Sequence, residues 1–85
     1  MAKTFFAKVK VRLKNGVLDP QGKAVKHGLA SLGFTGVEDV RIGKFIELRL
    51  AASSKESAER VVKEMSEKLL ANTIMEQYQI EVTAE

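Results

Sequence analysis

The chain has 85 residues, with 14 Lys and Arg against 11 Asp and Glu, one His, one Pro and no Cys. That length gives one domain, residues 1–85, with a thin core, since so short a chain buries only about 60 % of the surface its unfolded form exposes; without cysteine it has no disulfide framework, thiolate zinc site or cysteine nucleophile. A net charge of +3 with interspersed signs argues against nucleic acid as a partner, and no apolar run approaches the roughly 20 residues of a membrane span, so no membrane partner is expected either.

Met1-Ala2-Lys3-Thr4 leads into a strand pattern rather than a signal peptide, so the cytoplasm is the expected location. From Phe5 to Leu13 the residues alternate: Phe5, Ala7, Val9, Val11 and Leu13 on one side, Phe6, Lys8, Lys10 and Arg12 on the other. This is the signature of a half-buried strand. Asn15-Gly16 signals a turn, and Asp19-Pro20 supplies an N-cap acceptor followed by proline at the first helical position. Val25, Leu29 and Leu32 recur at helical spacing, and Gly33 stands where a left-handed C-cap residue is wanted, so a helix is predicted over about 20–32.

Val40 and Ile42, then Ile46, Leu48 and Leu50, alternate with polar neighbours on either side of Gly43-Lys44, predicting two antiparallel strands joined tightly. Ser53-Ser54-Lys55-Glu56 fits a capping box, and Ala58, Val61, Val62, Met65 and Leu69 form an apolar stripe, with Met65 as core filler; this helix is expected to end near Ala71-Asn72. Tyr78, Ile80 and Val82 predict a last strand at a sheet edge, a candidate for exchange with a neighbour. The fold class is α+β with the order β-α-β-β-α-β: an antiparallel sheet with two helices on one face and the other face used in oligomer or partner contact.

Alternation places Phe6, Lys8, Lys10 and Arg12 on that open face, with Asp39 and Arg41 from the second strand and Phe45, Glu47 and Arg49 from the third. Like charges two apart on one strand repel unless neighbouring strands answer them, and Glu47 and Glu81 are the candidates to do so. The bland reading is a solvated, cross-strand-paired surface. The functional one is a surface for a phosphate ligand or an acidic subunit, with Phe6 and Phe45 favouring protein contact. RNA modules of the same topology stack bases on aromatics of this face, but Glu47 and Arg49 stand where further aromatics would be needed. His27 lies mid-helix with no orienting partner in sequence, so a solvated or oligomer-contact role is expected rather than catalysis. Neither Gly33-Phe34-Thr35-Gly36 nor Arg41-Ile42-Gly43-Lys44 has the spacing of a phosphate-cradling loop.

Three segments, Gly16-Val17-Leu18-Asp19-Pro20-Gln21-Gly22, Val40-Arg41-Ile42-Gly43-Lys44 and Lys68-Leu69-Leu70-Ala71-Asn72 with Glu76 and Tyr78, together resemble the PurS family, the small subunit of phosphoribosylformylglycinamidine synthase. The resemblance covers nearly the whole chain. It implies a non-catalytic subunit of an ATP-dependent, glutamine-using carbon–nitrogen ligase of purine biosynthesis. In that complex a large synthetase subunit binds ATP and the ribonucleotide, a glutaminase subunit carries the cysteine, and the small subunit assembles the two and supports ammonia transfer. It further implies a homo-dimer or tetramer, no cofactor in this chain, and ATP with Mg on the large subunit. Asp19, Gln21, Gly22, Arg41, Gly43, Lys44, Asn72, Glu76 and Tyr78 carry over as motif positions. With Phe6, Lys8, Lys10, Arg12 and Phe45 added, and the glycines left out, the partner-interface candidates are complete; among the motif positions Asp19 is read as a helix cap, Gly22 as close packing and Asn72 as a C-cap. Thr73 replaces a common proline of the family, and Ser66 a frequent cysteine. The runner-up reading is a nucleotide-regulatory or RNA-binding module of the same topology.

Overall fold

A computed structural model describes residues 2–85. Strand β1 (Lys3–Leu13) lies at the centre of a three-stranded antiparallel sheet, flanked by β2 (Gly43–Ala52) and β3 (Glu76–Ala84). The alternation read from the sequence sets the register: Val9 stands between Ile46 and Ile80, and Ala7 between Leu48 and Val82. A one-residue slip would turn this entire set to the other face. As expected, β3 is an edge strand.

Helix α1 (Pro20–Ser31) starts as predicted, with Asp19 as N-cap and Pro20 at the first helical position. Its end forms a Schellman pair: the Phe34 N–H donates to the Leu29 carbonyl at 2.9 Å and the Gly33 N–H to that of Ala30 at 3.1 Å. Gly33 has φ +97°, which a side chain there would oppose.

Helix α2 (Lys55–Met65) packs on all three strands, and its Ala58 and Val62 join Phe5, Ala7, Val9, Val11, Ala71 and Val82 in the core. Burying a valine fully contributes about 1.5–3 kcal/mol. The cap is Ser54, whose hydroxyl accepts from the Ser57 N–H, and not the Ser53/Glu56 box the sequence suggested. The buried line runs through Ala58, Val62 and Ser66, while Met65 is 36 % and Leu69 83 % exposed. Met65 is therefore not core filler. The buried line runs one residue later than the apolar spacing predicts, because one of its positions is a serine, which carries no apolar signal. After Met65 the helix widens into a π-helical turn (Ser66–Leu70), closed by the Ala71 N–H on the Ser66 carbonyl at 2.9 Å. The extra residue per turn swings Leu69 outward and brings Leu70 and Ala71 to the sheet.

The α+β class holds, with the two helices and all but one of the strands. The exception is 40–42, which forms no ladder. Its backbone and side chains are engaged elsewhere, by the start of α1. The core contains no residue of α1, which packs instead on the returning segment: a β-carbon at Gly22 would collide with the Val40 carbonyl oxygen, and Lys26 Nζ donates to the Glu38 carbonyl at 2.7 Å. The molecule measures 55 × 26 × 14 Å, with a radius of gyration of 16.7 Å, against about 12 Å for a compact chain of this length.

Candidate functional site

The candidate residues fall into three groups. The first is a clasp at the start of α1. The Asp19 carboxylate is nearly buried and accepts twice, from the Gly22 N–H at 2.8 Å and from the Ile42 N–H at 2.8 Å. Those bonds, Ile42's first, hold its pKa below the ordinary aspartate value, with the Arg41 charge assisting. Arg41 reaches back to the Val17 carbonyl at 3.0 Å and the Lys14 carbonyl at 3.1 Å. Two motifs that are 17 residues apart in sequence, closing at Gly22 and reopening at Val40, are thereby stitched together. Asp39 and Arg41 are not on the open sheet face, because the segment that carries them never joins the sheet. Gln21 is exposed on the first turn of α1.

The second group surrounds the π-helical turn. Lys44 stands opposite Val11 on the helix side of the sheet, and its Nζ donates to the Leu70 carbonyl at 3.2 Å and lies 3.7 Å from the Glu76 carboxylate. Glu76 accepts from the Asn72 N–H at 2.7 Å, and the Asn72 side-chain oxygen accepts from the Ile74 N–H at 3.1 Å. Asn72 is thus the pivot of the turn into β3 rather than a helix C-cap. Tyr78 Oη donates to Glu67 at 2.7 Å, and that hydrogen bond raises the phenol's pKa, with burial adding to it. Ser66, fully buried, donates to the Val62 carbonyl at 2.9 Å.

The third group is the open face of the sheet. Phe6, Lys8, Lys10 and Arg12 run along its midline. Lys8 has Glu47 on one side and Glu81 on the other, and its Nζ lies 5.8 Å from the Phe6 ring centre. Lys10 stands between Phe45 and Gln79, and Arg12 between Gly43 and Gln77. With its oxygen turned toward the guanidinium, the Gln77 amide accepts from Arg12 Nε at 2.8 Å and Nη2 at 3.1 Å. Phe6 and Phe45 are not cross-strand neighbours: Phe6 faces Arg49, which is paired with Glu85 at 2.6 Å.

Missed from sequence were Glu67 and the structural role of Ser66, noted there only as replacing a frequent cysteine. No apolar period or motif marks either, and both matter because the π-helical turn places them. His27 is exposed. Among the described residues no three His, Cys, Asp or Glu side chains are grouped to hold a metal ion, and no helix is long and apolar enough to cross a membrane.

A family model described as PurS, phosphoribosylformylglycinamidine (FGAM) synthase, matches residues 6–84. The chain is 55 % identical over 75 residues to the PurS subunit of that synthase from Bacillus subtilis, with 88 % of each chain covered. It is 45 % identical over 84 residues to the Synechocystis subunit, covering 99 % of this chain and 84 % of that one. The structure of Bacillus subtilis PurS superposes with a TM-score of 0.82 at 52 % identity, covering 93 % of this chain and 98 % of that one. A chain in the structure of PurLQS from Thermotoga maritima superposes with a TM-score of 0.85 at 31 % identity, covering 94 % and 98 %.

Proposed function

The chain belongs to the PurS family, subunits of the phosphoribosylformylglycinamidine synthase of purine biosynthesis, and from that premise we propose that it is a non-catalytic assembly subunit, bridging the synthetase and glutaminase chains and helping ammonia pass between them. One observation carries the reading. The polar side chains that the structure orders are occupied in holding the fold, while apolar and charged surface on α1 and on the open sheet face stands uncovered. Nucleophilic catalysis needs a nucleophile within hydrogen-bond reach of an oriented base; the chain has no cysteine, and His27 points from an exposed helix.

On this reading the chain forms a homo-oligomer and works in the cytoplasm, while ATP and Mg are held by the large subunit. The Thermotoga maritima assembly, which contains a chain of this fold, supports entry into such a complex. The open-face residues, with the exposed Gln21 of the clasp and the exposed Asn72 of the turn into β3, are the proposed contact positions. Reconstitution tests the claim. Glutamine-dependent product formation by the large and glutaminase chains should collapse when this chain is left out; equal turnover without it would refute the bridging role.

A further inference from the structure

The row of three cations on β1 is divided by its register. Lys8 is answered within the chain, with Glu47 and Glu81 directly across on both neighbouring strands and the Phe6 ring beside its ammonium. Two residues on, about 7 Å along the strand, Lys10 is flanked by an aromatic ring and an amide, and Arg12 by a glycine and an amide. Among the described residues none of the three enters an ion pair, but only Lys8 has carboxylates directly across from it; Arg49, at the other end of the face, is paired with Glu85. The open face therefore has an end where carboxylates stand directly across from the cation and an end where two cations have no acidic residue directly across from them. At that second end Lys10, Arg12, Gln77 and Gln79 line an open groove of about 430 Å³.

Covering this face without anions would strand both cations away from water, and a desolvated, unpaired charge costs several kcal/mol. Whatever covers it must bring negative charge to the Lys10–Arg12 end and needs none at the Lys8 end. Gln77 holds the guanidinium by Nε and Nη2, which leaves Nη1 free to meet an oxygen acceptor from above.

We propose that the Lys10–Arg12 end of the open face docks a carboxylate-bearing segment, one or two Asp or Glu side chains, of a partner subunit in the synthase assembly. The inference rests on the assembly role proposed above and adds the chemistry of the contact. Phe45, half exposed beside Lys10, supplies the apolar rim that excludes water from the pairs. Because these pairs form only in the complex, they set salt dependence and partner choice rather than the stability of the free chain.

The test uses the reconstituted complex. Carbodiimide coupling, which joins an amine to a touching carboxylate with no spacer, should link Lys10 to an Asp or Glu of a partner chain, located by mass spectrometry of the digested product. The Lys10→Gln/Arg12→Gln double variant should weaken capture of this chain by its partners about tenfold or more and flatten the fall of affinity with salt. Arg12→Lys should recover part of it. Lys55→Gln/Arg60→Gln, the same change of net charge on exposed positions of α2, should do neither. Capture of the double variant equal to that of the parent, or a linkage of Lys10 to a second copy of this chain, would overturn the docking proposal and leave the bridging role standing. No capture of the parent chain at all would remove both.

Discussion

Asp19 shows how much one side chain can hold. Its two carboxylate oxygens serve two donors, the start of α1 and the amide of Ile42, so it caps a helix and fixes the returning segment with the same charge. An amide has one acceptor oxygen, so Asp19→Asn satisfies one donor and turns an N–H₂ toward the other. The variant should melt several degrees lower by circular dichroism. The sign of the pH effect follows from the depressed pKa. The stabilisation is complete above the ordinary aspartate value of 3.8 and is lost as pH falls through the lower folded value. The variant should lack that acid limb. At the alkaline end Tyr78 behaves oppositely: its phenol is raised above 10.0 by the bond to Glu67, so its contribution is present below 10.0 and is lost as pH rises through the raised value. Tyr78 is the only tyrosine and there is no tryptophan, so tyrosinate absorbance reports this residue alone. Glu67→Ala should bring the midpoint back toward 10.0.

Two glycines of one helix separate packing from propensity. Gly22 lies under the Val40 carbonyl and beside the Asp19 carboxylate, while nothing stands within 4 Å of a β-carbon at Gly28. Gly22→Ala should destabilise by about 1–3 kcal/mol, because the clasp must open to admit the methyl group. Gly28→Ala should stabilise by about 0.5–1 kcal/mol through helix propensity alone. Denaturant midpoints at unchanged slope read both. The clasp also explains why 40–42 reads as a strand and does not become one. Its alternation is genuine, but the amide of Ile42 is taken by Asp19 and the Arg41 side chain by the Lys14–Val17 turn before any ladder can form.

Over the whole molecule, the departure from compactness lies in α1. Leu18, Val25, Leu32 and Phe34, on this helix and the turns that flank it, are exposed, an apolar surface that a stable monomer rarely leaves open. The homo-oligomer proposed above would cover it. Sedimentation should then give a multiple of 9.4 kDa, and a Leu32→Glu/Phe34→Glu variant should shift the mass toward the single chain while the β-sheet signal persists, since no α1 residue belongs to the sheet core. A parent chain sedimenting as a monomer would refute the proposal.

By itself the sequence determined the periodic features. The alternation of β1 fixed which side chains are buried and which face is open, and with the flanking strands it fixed Glu47 and Glu81 as the cross-strand neighbours of Lys8. Asp19-Pro20 and Gly33 fixed both ends of α1. These are legible because they are local: backbone geometry repeats every two or every 3.6 residues, and caps are chosen within one turn. Only the tertiary structure decided the fate of 40–42, the π-helical turn that takes Leu69 out of the core, and the joining of Lys44 to Glu76 across 31 intervening residues. Each of these turns on which of two competing partners wins a backbone amide or a charge, and that contest is settled in space between segments far apart in sequence.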